Sequence, residues 1–128
     1  MRIACLGSGS RGNATLIEGG GVRLLVDCGF AVRELERRLS HLSVAADTLD
    51  AVLVTHEHGD HVRGIPALSR KYRLPVWMTQ GTGTAAGCVS LERLHLFNCQ
   101  QGGFRIGELQ IEPYAVPHDA REPSQYVF

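Results

Sequence analysis

Short apolar runs punctuated by glycine open the chain. Residues 2–6, 14–18 and 22–27 carry Ile3, Leu6, Leu16, Ile17, Leu24, Leu25 and Val26, and Gly19-Gly20-Gly21 separates the last two runs. Runs of this length rich in branched side chains fit strands, and the triple glycine offers the positive φ angles of a tight turn. The pattern therefore predicts a β-meander with a hairpin at the glycines. From Phe30 to Leu42 the period changes. Val32, Leu35, Leu39 and Leu42 recur at helical spacing with Arg33, Glu34, Arg37 and Arg38 opposite, which predicts an amphipathic helix. Residues 50–55 then read as a buried strand, and 64–72 as a helix with Pro66 in its first turn, where a missing N–H costs nothing. Strand pattern returns at 76–79, 94–97, 104–106 and 109–114, with a short helix expected over 82–88. Strands interleaved with helices define an α/β layered domain. Gln125-Tyr126-Val127-Phe128 keeps the strand pattern to the last residue, so the chain is expected to finish inside an element.

Composition narrows the picture only slightly. A chain of 128 residues fits one domain that buries about two-thirds of its accessible surface, so no metal is needed merely to hold a core together. Thirteen basic and 13 acidic residues leave no net charge, and bulk charge argues neither for nor against a polyanionic partner. Arg63, Arg70, Lys71 and Arg73 fall close together; they read first as a solvated helix face and second as phosphate ligands. Cys5, Cys28, Cys88 and Cys99 form no C-x-x-C pair and are expected to be free thiols in a reducing compartment. The N-terminus lacks the apolar core of a signal peptide, and no stretch approaches the roughly 18 apolar residues of a membrane span. The expectation is a cytoplasmic protein with no membrane association.

Candidate chemistry concentrates in Thr55-His56-Glu57-His58-Gly59-Asp60-His61, which places three imidazoles and a carboxylate at the end of the apolar run Ala51–Val54. On extended chain His56 and His58 leave the same face, as two ligands of one metal must. Gly59 lets the backbone turn. The adjacent Asp60 and His61 cannot share one direction, so the segment suits two neighbouring metal positions. The helical H-E-x-x-H arrangement of metalloproteases is excluded because residue 60 is Asp60. A further histidine, His118, follows Ala115-Val116-Pro117, where a strand end would deliver it to a loop at the ligand-binding edge of an α/β sheet; from spacing alone it reads equally as a ligand or a solvated loop residue. His41 and His95 lack such context and read as structural.

With these residues in view, the chain resembles the metallo-β-lactamase superfamily, whose signature H-x-H-x-D-H is matched by His56, His58, Asp60 and His61. Gly7-Ser8-Gly9-Ser10-Arg11-Gly12-Asn13, Leu25-Val26-Asp27-Cys28-Gly29 and Pro117-His118-Asp119-Ala120-Arg121-Glu122-Pro123 look like its YycJ/WalJ-like branch, grouped with DNA-processing exonucleases. The resemblance spans essentially the whole chain. It implies an αββα sandwich with two divalent metals at one edge, zinc first and manganese second. His56, His58 and His118 would hold one metal, and Asp60 and His61 would contribute to the other. Asp60 would also orient the nucleophile, and Asp27 would brace the histidine loop from behind. The implied reaction is hydrolysis of nucleic-acid phosphodiesters by zinc-activated hydroxide. Other members act on small esters, thioesters or lactones, and a catalytically silent metal-binding module is a further reading. The resemblance also implies a bridging aspartate and a last histidine that residues 1–128 do not supply. These residues are therefore expected to be the N-terminal portion of a single domain, with an exposed sheet face or terminal strand available for a homodimer.

Overall fold

The computed structural model describes all 128 residues. Its strands are β1 (Arg2–Gly7), β2 (Ala14–Gly19), β3 (Val22–Val26), β4 (Ala51–Leu53), β5 (Val76–Thr79), β6 (Leu94–Phe97), β7 (Phe104–Ile106), β8 (Leu109–Ala115) and β9 (Ser124–Val127). Its helices are α1 (Val32–Ser40), α2 (Gly59–Val62), α3 (Ile65–Tyr72) and α4 (Gln80–Ala85), with single 3-10 turns at Ala46–Thr48 and Cys99–Gln101. The first six strands form one sheet in sequence order, and β7, β8 and β9 form a second. Strands β1 to β3 are antiparallel neighbours, whereas β3 to β6 pair in parallel through helical crossovers.

Alternation along the central strands buries both faces of the large sheet. Leu16, Leu25, Val52 and Val54 pack with Leu35 and Leu39 of α1 and Ile65 and Leu68 of α3. Their sequence neighbours Ile17, Leu24, Ala51 and Leu53 point the other way, onto Leu109 and Ile111 of β8. The result is a helix layer, a large sheet and a small sheet. Gly20 and Gly21, with φ of 57° and 76°, close the β2–β3 hairpin in the left-handed conformations that a two-residue turn of this hand requires.

Several boundaries differ from the sequence reading, each for a local reason. Helix α1 starts at Val32, because Phe30 is turned inward beneath Gly7 and Gly12, where a Cβ would lie 2.4 Å and 2.5 Å from its ring. Helix α4 starts at Gln80, since the Thr79 hydroxyl accepts the Thr82 N–H at 3.2 Å and caps the first turn. The one-turn helix α2 was not anticipated; with Val62 as its sole aliphatic side chain it has no apolar period to read. The expected open apolar sheet face is also corrected. Strands β7–β9 cover it, and the outer face of β8 carries the exposed Gln110 and Glu112 beside Tyr114. No helix is long and apolar enough to cross a membrane.

The layer between the two sheets gives a direct test. Leu24 is fully buried, and Leu24→Ala is expected to cost roughly 2–5 kcal/mol in urea denaturation. Leu96→Ala, at a position 44% exposed, should shift the midpoint far less.

Candidate metal centre

Parallel strands that share a direction bring their C-terminal ends to one edge, and the site is assembled there. Strand β3 leads into Asp27, and β4 runs on towards Thr55 and His56. Asp27 has φ 65°, a left-handed conformation that costs an L-residue roughly 1–2 kcal/mol but comes most easily to Asp and Asn. That reversal lets the carboxylate reach its neighbours across the sheet edge. Asp27 is buried, and its Oδ1 accepts the Thr55 N–H at 2.8 Å. Its Oδ2 accepts the Thr55 hydroxyl at 2.6 Å and lies 2.7 Å from Nδ1 of His61.

These contacts fix two tautomers. The hydroxyl of Thr55 has one hydrogen and gives it to Asp27, so its oxygen, 2.9 Å from His56 Nδ1, can only accept. His56 therefore carries its proton on Nδ1 and keeps the lone pair of Nε2 free. His61 likewise donates from Nδ1 to the carboxylate and leaves Nε2 free. Burial holds His56 below the ordinary histidine range, with the nearby imidazoles adding to the effect. Burial also opposes charge on His61, but its hydrogen bond to Asp27, the Asp27 charge and Asp60 together outweigh this and raise its pKa.

The structure brings His56, His58 and His118 together, each offering a ring nitrogen, with these atoms within 4.8 Å of one another. Ligand bonds of about 2.0–2.1 Å to a shared zinc require a separation below about 4.2 Å, so small rotamer adjustments close the set. The ring centroid of His56 lies 4.6 Å from that of His58, 4.4 Å from that of His118 and 4.0 Å from that of His61. Asp60 stands beside the cluster, its Oδ2 3.6 Å from His61 Nε2. Three imidazoles with converging nitrogens form a donor set suited to a divalent metal ion.

Residues outside the signature hold this arrangement. Asn13 donates from Nδ2 to Asp60 Oδ2 at 3.0 Å, and its own N–H donates to the Asp60 carbonyl at 2.7 Å. The Cys28 N–H donates to the His61 carbonyl at 2.8 Å. Gly29 permits the close approach, since a Cβ there would meet the Asp60 carbonyl oxygen at 1.8 Å. His118 is delivered from the small sheet by a loop tied down at several points. Glu57 Oε1 accepts the Arg121 N–H at 2.7 Å, the Ser124 N–H donates to the Thr55 carbonyl at 2.8 Å, and Tyr126 donates its hydroxyl hydrogen to the Val54 carbonyl.

Spacing along the chain gives no role to Thr55, Glu57, Tyr126 or Asn13, all of which the fold brings to the site. The local signal at Asn13 is only that an asparagine suits the folding of a Gly-Ser loop, as its side-chain bonds to the Gly9 N–H and carbonyl show. Arg70, Lys71 and Arg73 do not join the site. Helix α3 carries them to the end of the large sheet where β5 begins, opposite the histidines, and Lys71 pairs with Glu36 at 2.8 Å. His41 and His95 also lie apart, His95 stacked on Trp77.

A model of the metallo-beta-lactamase superfamily matches residues 7–106. Exodeoxyribonuclease WalJ of Streptococcus pneumoniae serotype 2 is 34% identical over 135 aligned residues, covering all of this chain and 49% of that protein. Exodeoxyribonuclease YycJ of Bacillus anthracis is 32% identical over 133, covering all of this chain and 50% of its own length. The chain thus spans about half the length of the curated relatives it matches. Among solved structures, the Rm3 metallo-beta-lactamase superposes with a TM-score of 0.79 at 15% identity, over 97% of this chain and 52% of that one, a likeness of fold alone.

In the metal-free chain, NMR titration of the imidazole resonances should place the His61 midpoint above about 6.5 and that of His56 below it. By linkage, His61 favours the folded state most at pH values below the unfolded midpoint and loses that contribution as pH rises through its folded one. His56 acts in the opposite sense, its contribution falling away as pH drops below about 6.5. Asp27→Asn should lower the His61 midpoint and weaken zinc binding, measured by chelator competition, by about 10–100-fold. An unmoved His61 midpoint would show that Asp27 does not govern that ring.

Proposed function

The chain belongs to the metallo-beta-lactamase superfamily, and from that premise we propose that it is the N-terminal portion, residues 1–128, of a single-domain metal-dependent hydrolase that cleaves phosphodiester bonds in nucleic acid. The observation that carries the metal chemistry is the convergence of His56, His58 and His118, with the tautomer of His56 set to present a lone pair from Nε2. The substrate class rests on the likeness of this chain, over its whole length, to about half of each of two proteins named exodeoxyribonucleases. Two divalent ions, zinc or manganese, would be held by His56, His58 and His118 at one position and by Asp60 and His61 at the other. Such ions activate water at neutral pH and neutralise charge developing on phosphate oxygens.

The chain's own residues do the positioning. Asp27 fixes the rings of His61 and, through Thr55, His56, so neither has to reorient when a ligand enters. Asn13 restrains the Asp60 carboxylate, placing an acceptor where an attacking water would be oriented. Glu57 holds the backbone of the His118 loop. All four cysteines are free, which fits a reducing cytoplasm. A homodimer along the outer edge of β9, where the small sheet ends, belongs to the same reading, and light scattering reads it directly.

The test uses the longer protein with labelled single- and double-stranded DNA or RNA, in the presence of zinc or manganese. Cleavage is expected, with His58→Ala, His118→Ala and Asp60→Asn each reducing it to background. Turnover of a lactone or thioester without nucleic-acid cleavage would move the assignment to small-ester hydrolysis. Metal binding without any turnover would leave a binding module.

A further inference from the structure

Beside the His118 loop lies a cavity of about 570 Å³ that no step above uses. It is within the range of about 300–1,000 Å³ typical of small-molecule sites. Its walls come from the start of α4, the end of β6 with the turn that follows, and residues 121–122. The chemistry of that wall is unusual for a surface hollow. Gln80, Asn98 and Gln101 contribute three carboxamides, Phe97 a ring, Glu122 a carboxylate and Arg121 a guanidinium.

These groups are held in place yet keep free bonding capacity. Glu122 gives Oε1 to the Gly81 N–H at 2.7 Å, and its carbonyl accepts the hydroxyls of Thr79 and Thr82 at 2.7 Å and 3.1 Å. Gly81 has to be glycine for this, since a Cβ there would lie 2.6 Å from that of Glu122. Asn98 uses Oδ1 to accept the Gln100 N–H at 2.8 Å, and its Nδ2 has no partner within the chain. Phe97 is braced from one side by Phe104 and Tyr126, with centroids at 5.3 Å and 6.0 Å. Arg121 is anchored through its backbone N–H to Glu57, in the middle of the histidine motif, while its guanidinium enters no ion pair.

Carboxamides and a carboxylate are the side chains that read the donor and acceptor edges of unpaired bases, and an aromatic wall supplies the apolar contact. Arg121 and Glu122 cancel in charge, so the cavity is no basin for a run of phosphates. Its single guanidinium belongs to a residue three positions from His118 and tied through its backbone N–H to Glu57, so the cavity adjoins the loop that delivers that histidine. We propose that this cavity receives the unpaired base of the nucleotide flanking the phosphodiester under attack, with Arg121 engaging that nucleotide's phosphate. This rests on the nucleic-acid reading above and assigns the residues that seat the substrate.

The probe is deoxyadenosine monophosphate, titrated into the isotopically labelled 128-residue chain in EDTA, so that neither metal nor turnover contributes. The backbone amides of Gln80, Gly81, Asn98 and Gln101 should shift. Deoxyribose 5-phosphate, which lacks the base, should leave Asn98 and Gln101 unmoved. Arg121→Ala should weaken binding by about tenfold or more while leaving zinc affinity unchanged, because its backbone N–H and so the Glu57 contact remain. Gln101→Ala, in an exposed turn, is the second variant and should weaken binding of the nucleotide but not of the sugar phosphate. Amides that stay fixed up to millimolar nucleotide, or shift equally in both variants, overturn the proposal. The two readings fail separately. A filled cavity without nucleic-acid cleavage by the longer protein sinks the reaction, whereas cleavage with an unresponsive cavity sinks the subsite.

Discussion

A buried carboxylate at the end of β3 accepts three hydrogen bonds from two residues of the next strand's loop, and the histidine arrangement depends on it. Leaving such a group unpaired away from water would cost several kcal/mol, so Asp27 compels Thr55 and His61 to stay within reach. The same contacts choose which ring nitrogen of His56 and His61 is free. One constraint thus stabilises the loop and sets its chemistry. The left-handed backbone at Asp27 is the strain accepted for that geometry.

Around this point the fold works as two clamps. From the β1 and β3 side, Asn13 and Cys28 hold the backbone of Asp60 and His61, with Gly29 and Gly64 permitting contacts that a methyl group would block. A Cβ on Gly64 would lie 1.9 Å from the Phe30 carbonyl oxygen. From the small sheet, Glu57, Thr55 and Val54 receive hydrogen bonds from Arg121, Ser124 and Tyr126. The first clamp fixes the signature loop, and the second brings His118 to it from more than fifty residues away. Packing of Leu24 and Leu53 against Leu109 and Ile111 sets the distance between the sheets and so the distance over which the second clamp must reach.

Membership of a superfamily that carries many reactions makes the surroundings of the histidines more informative about substrate than the histidines themselves. Those surroundings are uneven. Arg70 and Arg73 sit at the far end of the large sheet, whereas Arg63 follows the helix that carries Asp60 and His61, and the cavity next to His118 is amide-rich and electrically balanced. Recognition at the cavity itself would therefore rest on shape and edge chemistry more than on net charge.

Much was legible in order along the chain, because it depended on local periodicity or spacing. The hairpin at Gly20-Gly21, helix α1 and the pairing of His56 with His58 on one face follow from residues close in sequence, and the resemblance extended this to Asp27 and His118. What periodicity could not carry was proximity between distant segments. Nothing in the local pattern marks Asn13 as the partner of Asp60, Glu57 as the anchor of Arg121, or Thr55 as the link between Asp27 and a histidine. Each bond forms only because parallel strands end at one edge and a second sheet folds onto the first. The same holds for the covered sheet face: β2 and β3 announce two apolar faces, but that β7–β9 of the same chain would cover one was decided by tertiary packing. The sequence by itself determined which groups are available and which way neighbours point, since backbone geometry ties side-chain direction to position. The tertiary structure alone decided which of those groups meet, because hydrogen bonds and metal ligation act over a few ångströms of space and not over sequence distance.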